Sequence, residues 1–243
     1  MYIPDPGKII INADYSKAES WIVAHMANDQ LMIDALNGPD FHVVNAANIL
    51  NIDFKAVGYK ERQIGKKISH ASNYGVTAFT FQKAMAKDGY DFSRSKCKEL
   101  LESYFITYPK VKAFQADVRS KLQGSMSLTN VFGRKITYFS HWGDALFRSA
   151  YSYIPQGTVG DMTNRGLKNI YDNIPTVEVM LQIHDAVLMQ TEYKYLNQSL
   201  IDSINECMSF EISVRHHKIK IPVDIELGPN WLHMVSWEDY RSK

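Results

Sequence analysis

Two carboxylates and one regularly spaced set of cations and rings are the residues of this sequence best placed to do chemistry. Asp14 ends the apolar run Ile9-Ile10-Ile11-Asn12-Ala13, and Asp185 sits between two further apolar runs, after Ile183-His184 and before Ala186-Val187-Leu188. If the strands that carry them are neighbours in one sheet, carboxylates 171 positions apart meet at its edge. Hard oxygen ligands converging in this way suit Mg²⁺, which keeps several waters and is held by one or two carboxylates plus substrate phosphates. Two such ions clamp the attacking and the leaving oxygen in phosphoryl transfer. Taken alone, the pair also reads as a strand end and a turn, places that Asp favours for local hydrogen bonding. On these two residues that plainer reading is the stronger.

The second set is Arg62, Lys66, His70 and Tyr74, spaced every four residues. A step of four over-rotates by about 40°, so all four share one broad helical face roughly 18 Å long. Two cations, then an imidazole, then an aromatic ring suit a nucleoside triphosphate lying along the helix, phosphates on the cations and sugar and base on the rings. A solvated basic face is the alternative, and Tyr74-Gly75 is also an ordinary helix stop.

The elements that must position these residues follow from periodicity. Residues 8–14 are β-branched and bounded upstream by Pro and Gly, which predicts a buried strand. Helices are expected over residues 16–27, 41–50 and 59–71, the last broken near Gly75. Ser93 or Ser95 caps a helix to Thr107; Tyr108-Pro109 interrupts before another over 111–122. Residues 128–139 form a small hairpin around Gly133, and 143–172 are mostly helical with an interruption at Pro155-Gln156-Gly157. Residues 177–183 and 186–190 are strands joined by the two-residue turn His184-Asp185. A helix over 195–210 leads to a final alternating strand over 218–227. Strands at both ends around a helix-rich insert make the fold class α+β, an antiparallel sheet with helices packed on one face.

Composition narrows the classes further. A chain of 243 residues with 45% hydrophobic residues and a mean hydropathy of −0.26 can bury a sizeable core. That excludes a disordered tail, a collagen-like repeat and a small disulfide scaffold. No apolar run approaches the ~18–20 residues of a membrane span, and the N-terminus lacks the pattern of a signal peptide. Cys97 and Cys207 have neither disulfide-framework nor metal-site spacing, which points to a reducing compartment. The net charge of +1 argues, as a sum, against a nucleic-acid partner.

The motifs taken together resemble a known family. Arg62-x3-Lys66-x3-His70-x3-Tyr74-Gly75 resembles the fingers motif of family A DNA polymerases, the bacterial DNA polymerase I type. Asp14-Tyr15-Ser16-x-x-Glu19 is similar to that family's first palm motif, and Gln182-Ile183-His184-Asp185 to its last. Asp40-Phe41-His42, Gly133-Arg134, Arg148 with Gln156-Gly157-Thr158, and Asn230-Trp231 fit further segments, so the likeness covers essentially the whole chain. It implies an antiparallel palm sheet with a helical fingers insertion: palm over residues 1–37, fingers over 38–125 with the nucleotide-binding helix at 60–74, and palm again over 126–243.

The resemblance also implies roles. Asp14 and Asp185 would bind two Mg²⁺ ions, with Mn²⁺ as a substitute and the Tyr15 carbonyl as an added ligand. Arg62 and Lys66 would hold the triphosphate, with His42 assisting. His70 would face the sugar, and Tyr74 would stack near the template base. Glu19 would obstruct a 2′-hydroxyl, although Ser16-x-x-Glu19 is equally a capping box for the following helix. Arg134, Arg148, Gln156 and His184 would meet the template–primer DNA; for Arg148 and Gln156 a helix-surface role is the alternative, for His184 a structural hydrogen bond. Tyr104, Phe105 and Tyr108 have core spacing.

Three positions depart from the family pattern: Ala186 stands where Glu is usual, His70 where Phe or Tyr is usual, and Ala18 where a larger aliphatic is usual. The implied reaction is attack of a primer 3′-hydroxyl on the α-phosphate of a dNTP. No counterpart of the family's thumb or 3′–5′ exonuclease is found in the sequence, so a second polypeptide carrying them, as in a split polymerase, is expected, with an expression fragment of a longer chain as the rival explanation. The rival readings are a single-subunit RNA polymerase fragment and a non-catalytic DNA-binding replication subunit. The expected location is the cytoplasm of a bacterial or phage-infected cell, with no membrane partner.

Overall fold

β1 (Lys8–Tyr15) shows why the sequence opens on an unbroken apolar run. Ile9, Ile10 and Ile11 are covered on both faces of the strand, none exposing more than 1% of its surface. From Asn12 onward one face opens: Ala13 and Tyr15 stay buried, whereas Asn12 and Asp14 are half-buried. Burying a branched side chain contributes about 1.5–3 kcal/mol. The apolar half of β1 thus anchors the strand and carries the polar half into place.

The computed structural model describes residues 2–242 and divides into two units, one of residues 19–156 and one formed by the residues before and after them. The unit of residues 19–156 is helical. It holds α1 (Ala18–Ala27), α2 (Gln30–Asn37), α3 (Phe41–Leu50) and α4 (Tyr59–Asn73). These are followed by α5 (Ala78–Lys87), α6 (Arg94–Thr107) and α7 (Pro109–Ser125). The hairpin of β2 (Ser127–Thr129) and β3 (Lys135–Thr137) leads into α8 (Asp144–Asn173), whose residues from 157 belong to the other unit. Side chains of Asp29, Asp40, Thr77 and Ser93 cap α2, α3, α5 and α6. Each satisfies backbone N–H groups that a helix start leaves unpaired. α2 and α5 are additional to the expected helices; each is short, with a side-chain cap and an apolar face that buries Met32, Ile33 and Leu36 in α2 and Phe81 and Met85 in α5.

Beneath α4 lies a buried polar network. Asn45 of α3 donates to Ser69 at 2.6 Å and accepts from Tyr108 at 2.5 Å. Tyr104 donates to Asn73 at 2.7 Å, and Gln115 donates to the carbonyls of Ser72 and Asn73 at 2.7 and 3.1 Å. All these side chains are buried, so unmet polar groups here would be costly and the satisfied ones fix α4 against α3, α6 and α7. Tyr104 and Tyr108 are therefore core residues, as their spacing suggests. Gly65 lets α3 and α4 approach: a Cβ there would lie 2.6 Å from the His42 carbonyl oxygen and 2.8 Å from the Ala46 nitrogen.

The other unit is built on a five-stranded antiparallel sheet. β4 (Val177–Ile183) and β5 (Ala186–Glu192) form the hairpin, followed by α9 (Gln198–Met208). Then come β6 (Ile212–Val214), β7 (His217–Ile219), β8 (Val223–Gly228), β9 (Val235–Ser236) and α10 (Trp237–Arg241). The sheet order is β4-β5-β1-β8-β9, so β1, first in the chain, is central. On its buried face, Tyr15 donates to the Met208 carbonyl at 2.6 Å at the end of α9.

Three expectations are corrected. α8 runs unbroken through Pro155, although proline removes one helix bond and costs about 3 kcal/mol. The buried series Tyr151, Ile154, Thr158 and Met162 keeps one side of the helix packed across that point. The final strand is two strands, because Pro222 has no N–H for a ladder and Arg215, at φ 54°, turns β6 back into β7. The helix expected over 195–210 is shorter, starting at the Asn197 cap, whose side chain accepts from the Leu200 N–H at 2.9 Å.

Two outcomes follow from this packing. Gly65→Ala forces two backbones apart and is expected to destabilise the protein by about 1–3 kcal/mol in urea unfolding; an unchanged midpoint contradicts the close approach. Burial raises the Asp40 carboxyl, but the Arg62 guanidinium and the N–H groups of Val43 and His42 outweigh it and hold the group below its ordinary range. A depressed folded value means that the stabilisation is present above the unfolded value of about 3.9 and lost as pH falls through the folded one. The stability gap between wild type and Asp40→Asn is therefore expected to stay level between pH 5 and 7 and to shrink below about pH 4. Urea melts at pH 6 and pH 3 check this, and a gap that widens in acid contradicts it.

Candidate active site

The antiparallel register of β1 places Asp14 and Asp185 on neighbouring stretches of backbone. Asp14 pairs with Ala186, the first residue of β5, and the Tyr15 N–H donates to the Asp185 carbonyl at 3.3 Å. Asp185 thus sits in the β4–β5 turn immediately beside the end of β1. His184, the other turn residue, is exposed and takes the left-handed conformation at φ 53°, which permits the two-residue connection. The side chain of Tyr15 points to the buried face, where burial pushes its phenol up and away from ionisation.

A third carboxylate was not anticipated. On the other flank of β1, Asp224 of β8 stands directly opposite Asp14 in register. Residues opposite one another share a sheet face, so Ala186, Asp14 and Asp224 lie in a row across three strands. Like charges facing each other across strands are destabilising, and a cation relieves them. Among the described residues no three His, Cys, Asp or Glu side chains converge as a closed metal cage. The donor chemistry fits a hard divalent ion that takes only one or two carboxylates from the protein. Asp14 and Asp185 are the residues that would hold it. The only sequence signal for Asp224 is the alternation of its strand.

In the helical unit, α4 presents the second set. Arg62 is half-buried, and Lys66 and His70 are exposed. Tyr74 lies just past the helix as its C-terminal cap and is 7% exposed. Its hydroxyl donates to the Glu19 carboxylate. His70 Nδ1 lies 4.0 Å from the same carboxylate, and its ring meets the Tyr74 ring edge-on at 4.7 Å. Glu19, His70 and Tyr74 thus form one cluster, and the pairing seen for Glu19 is with the end of α4. Partial desolvation of the ring and the charge of Lys66 shift the His70 imidazole below its ordinary value.

The cations differ in how much of their charge is already committed. Lys67 is paired with Asp88 at 2.6 Å. Arg62 donates through Nε to Asp40 at 2.7 Å, and its two terminal nitrogens have no hydrogen-bond partner among the described residues. Lys66 makes no ion pair or hydrogen bond among the described residues. His42 lies in the first turn of α3, next to the helix start capped by Asp40. A cavity of about 540 Å³ between α4 and α5 is lined by Gln63, Lys66, Lys67 and His70, with Phe81 and Met85 supplying apolar wall. Asp40 is the second residue that sequence reasoning passed over as a participant, although an Asp before an apolar run is a recognisable cap.

The residues expected to meet nucleic acid lie on different elements. Arg134 is exposed in the β2–β3 connection, where its backbone is held by Asn130 at 2.9 Å and by the Tyr153 hydroxyl at 2.6 Å. Arg148 is half-buried and Gln156 exposed on α8. His184 belongs to the sheet-bearing unit. Among the described residues no helix is long and apolar enough to cross a membrane.

Comparison with known proteins identifies the family of the chain. Residues 1–233 match the sequence pattern of DNA polymerase family A. DNA polymerase I of Caldicellulosiruptor bescii is 26% identical over 244 residues, covering 95% of this chain and 27% of that protein. DNA polymerase I of Pseudomonas aeruginosa is 25% identical over 241 residues, covering 95% of this chain and 25% of that protein. The chain thus spans about a quarter of the length of these relatives. Among solved structures, the POL domain of Pol1 from M. smegmatis, in complex with DNA primer-template and dNTP, shares the fold. Its TM-score is 0.81 at 22% identity, covering 94% of this chain and 41% of that one. With the α+β architecture and a family pattern that spans residues 1–233, this chain belongs to DNA polymerase family A.

Proposed function

We propose that this chain catalyses template-directed DNA synthesis, transferring a nucleotide from a dNTP to a primer 3′-hydroxyl. The observation that carries the reading is the meeting of Asp14 and Asp185 at one sheet edge, in a chain of this family. Asp14 and Asp185, with the Tyr15 carbonyl, would hold two Mg²⁺ ions, or Mn²⁺ in their place. When bound, such ions lower the pKa of the attacking hydroxyl and neutralise charge on the triphosphate. Arg62 and Lys66 bind the triphosphate, and His42 assists. Glu19, held by Tyr74, excludes a 2′-hydroxyl and favours dNTPs over rNTPs. His70 faces the sugar as a ring able to stack and to donate a hydrogen bond. Arg134, Arg148, Gln156 and His184 contact the template–primer. In this reading residues 1–37 and 126–243 serve as palm and residues 38–125 as fingers.

Primer extension with a labelled primer–template, dNTPs and Mg²⁺ tests the proposal. Asp185→Asn is expected to reduce extension at least about 100-fold, the scale of losing one charge-stabilising group, with unchanged circular dichroism. Extension retained in that variant refutes the metal assignment. The committed and uncommitted lysines give a second check. Lys66→Ala is expected to raise KM for dNTP by roughly 10–100-fold, the worth of a hydrogen bond to a charged group. Lys67→Ala, already paired with Asp88, is expected to change it by less than about threefold. A larger effect at Lys67 than at Lys66 overturns the assignment.

A further inference from the structure

We propose that Asp40 is a positioning residue for triphosphate recognition, its single carboxylate setting both the guanidinium of Arg62 and the start of the helix that carries His42. The inference rests on the nucleotide-binding reading of α4 and goes beyond it, because Asp40 itself touches no nucleotide.

The two oxygens of this carboxylate have separate tasks. Oδ1 accepts from the backbone N–H groups of His42 at 2.9 Å and Val43 at 3.2 Å, closing the N-terminus of α3. Oδ2 accepts from Arg62 Nε at 2.7 Å, across 22 residues of sequence. The pair is partly shielded, with side-chain exposures of 36% for Arg62 and 29% for Asp40. A guanidinium is a rigid planar fork, so fixing Nε fixes the plane and direction of both terminal nitrogens. Those two nitrogens are the ones without a protein partner among the described residues, and together they match the oxygen spacing of a phosphate. Asp40 thus orders the arginine before the ligand arrives. Binding then does not have to immobilise a side chain that would otherwise sample many rotamers.

A stabilising ion pair and a positioning contact predict different measurements. Asn keeps the cap on α3 because its side-chain oxygen still accepts from the helix N–H groups, but it removes the charge that holds Arg62. Titration of dTTP into the full chain by calorimetry is the direct readout, with urea unfolding alongside it. Arg62→Ala is expected to weaken dTTP binding by about tenfold or more, as for a charge-assisted contact. Asp40→Asn is expected to weaken it about three- to tenfold at pH 7, where urea unfolding shows the variant still fully folded in the absence of urea although its midpoint is lowered. The double variant is expected to bind no more weakly than Arg62→Ala alone, because the two residues act through one contact. In primer extension the loss in Asp40→Asn is expected in KM for dNTP rather than in kcat. Asp40→Ser, which also caps, gives the same pattern should the Asn variant prove poorly folded.

Unchanged or tighter dTTP binding in Asp40→Asn, while Arg62→Ala is weakened, overturns the positioning role and leaves the nucleotide reading in place. Additive losses in the double variant overturn it as well. Wild-type affinity in Arg62→Ala overturns both the positioning role and the nucleotide reading of α4.

Discussion

The register of β1 against β5 and β8 is the constraint from which the carboxylate site follows. Side chains alternate across a strand, so a slip of one residue would turn Asp14 into the core and Ala13 outward. The run Ile9-Ile10-Ile11 prevents this, because its burial on both faces together with Ala13 and Tyr15 on one face is satisfied by a single register. The hydroxyl of Tyr15 adds a directional lock, since it reaches the Met208 carbonyl only from the buried face. The apolar half of β1 therefore specifies where a charge three residues farther along is placed, and the turn at His184-Asp185 brings the second acidic residue beside it.

The helical unit solves a different problem, which is to hold one face of α4 still while leaving that face open. The buried amides and hydroxyls of Asn45, Ser69, Asn73, Tyr104, Tyr108 and Gln115 tie the rear of the helix to three neighbours. Gly65 brings α3 so near that the His42 carbonyl sits against α4. On the open side the side chains are graded by partner: Lys67 neutralised by Asp88, Arg62 oriented by Asp40, Lys66 uncommitted. The net charge of +1 hides this grading. A sum near zero argues against a polyanion partner only if every cation is neutralised by a neighbour, and among the described residues Lys66 of α4 is not.

The parts of this arrangement legible in the sequence are those carried by local patterns. β1, the β4–β5 hairpin, α3 and α4 are readable because each has a continuous apolar period and a clear stop. The every-four spacing of Arg62, Lys66, His70 and Tyr74 survives in the helix, with Tyr74 displaced to its cap. What was not legible depends on distant partners. Nothing local to Pro155 announces that packing at Tyr151, Ile154, Thr158 and Met162 carries a helix through it. Nothing around Glu19 distinguishes a cap for its own helix from an acceptor for Tyr74, 55 residues away. Asp40 reads as a cap from sequence, but its second oxygen is visible only once Arg62 is folded against it. Asp224 is one of several polar residues on an alternating strand until the register places it opposite Asp14.

That register also gives a physical account of Ala186. A carboxylate at this position would face Asp14 directly across β1 and β5, on the same side of the sheet and one residue from Asp185. Asp224 already faces Asp14 from the other flank. Two carboxylates flanking a third would add like-charge repulsion at the end of the central strand of the sheet. Alanine removes one of those repulsions without disturbing the backbone ladder, since pairing from Asp14–Ala186 to Lys8–Glu192 is continuous. The family's missing acid and the unexpected one thus occupy opposite sides of the same residue. The site keeps one carboxylate on β1, one in the turn beside it and one across the sheet, a charge distribution that a divalent cation can satisfy without a further acid at position 186.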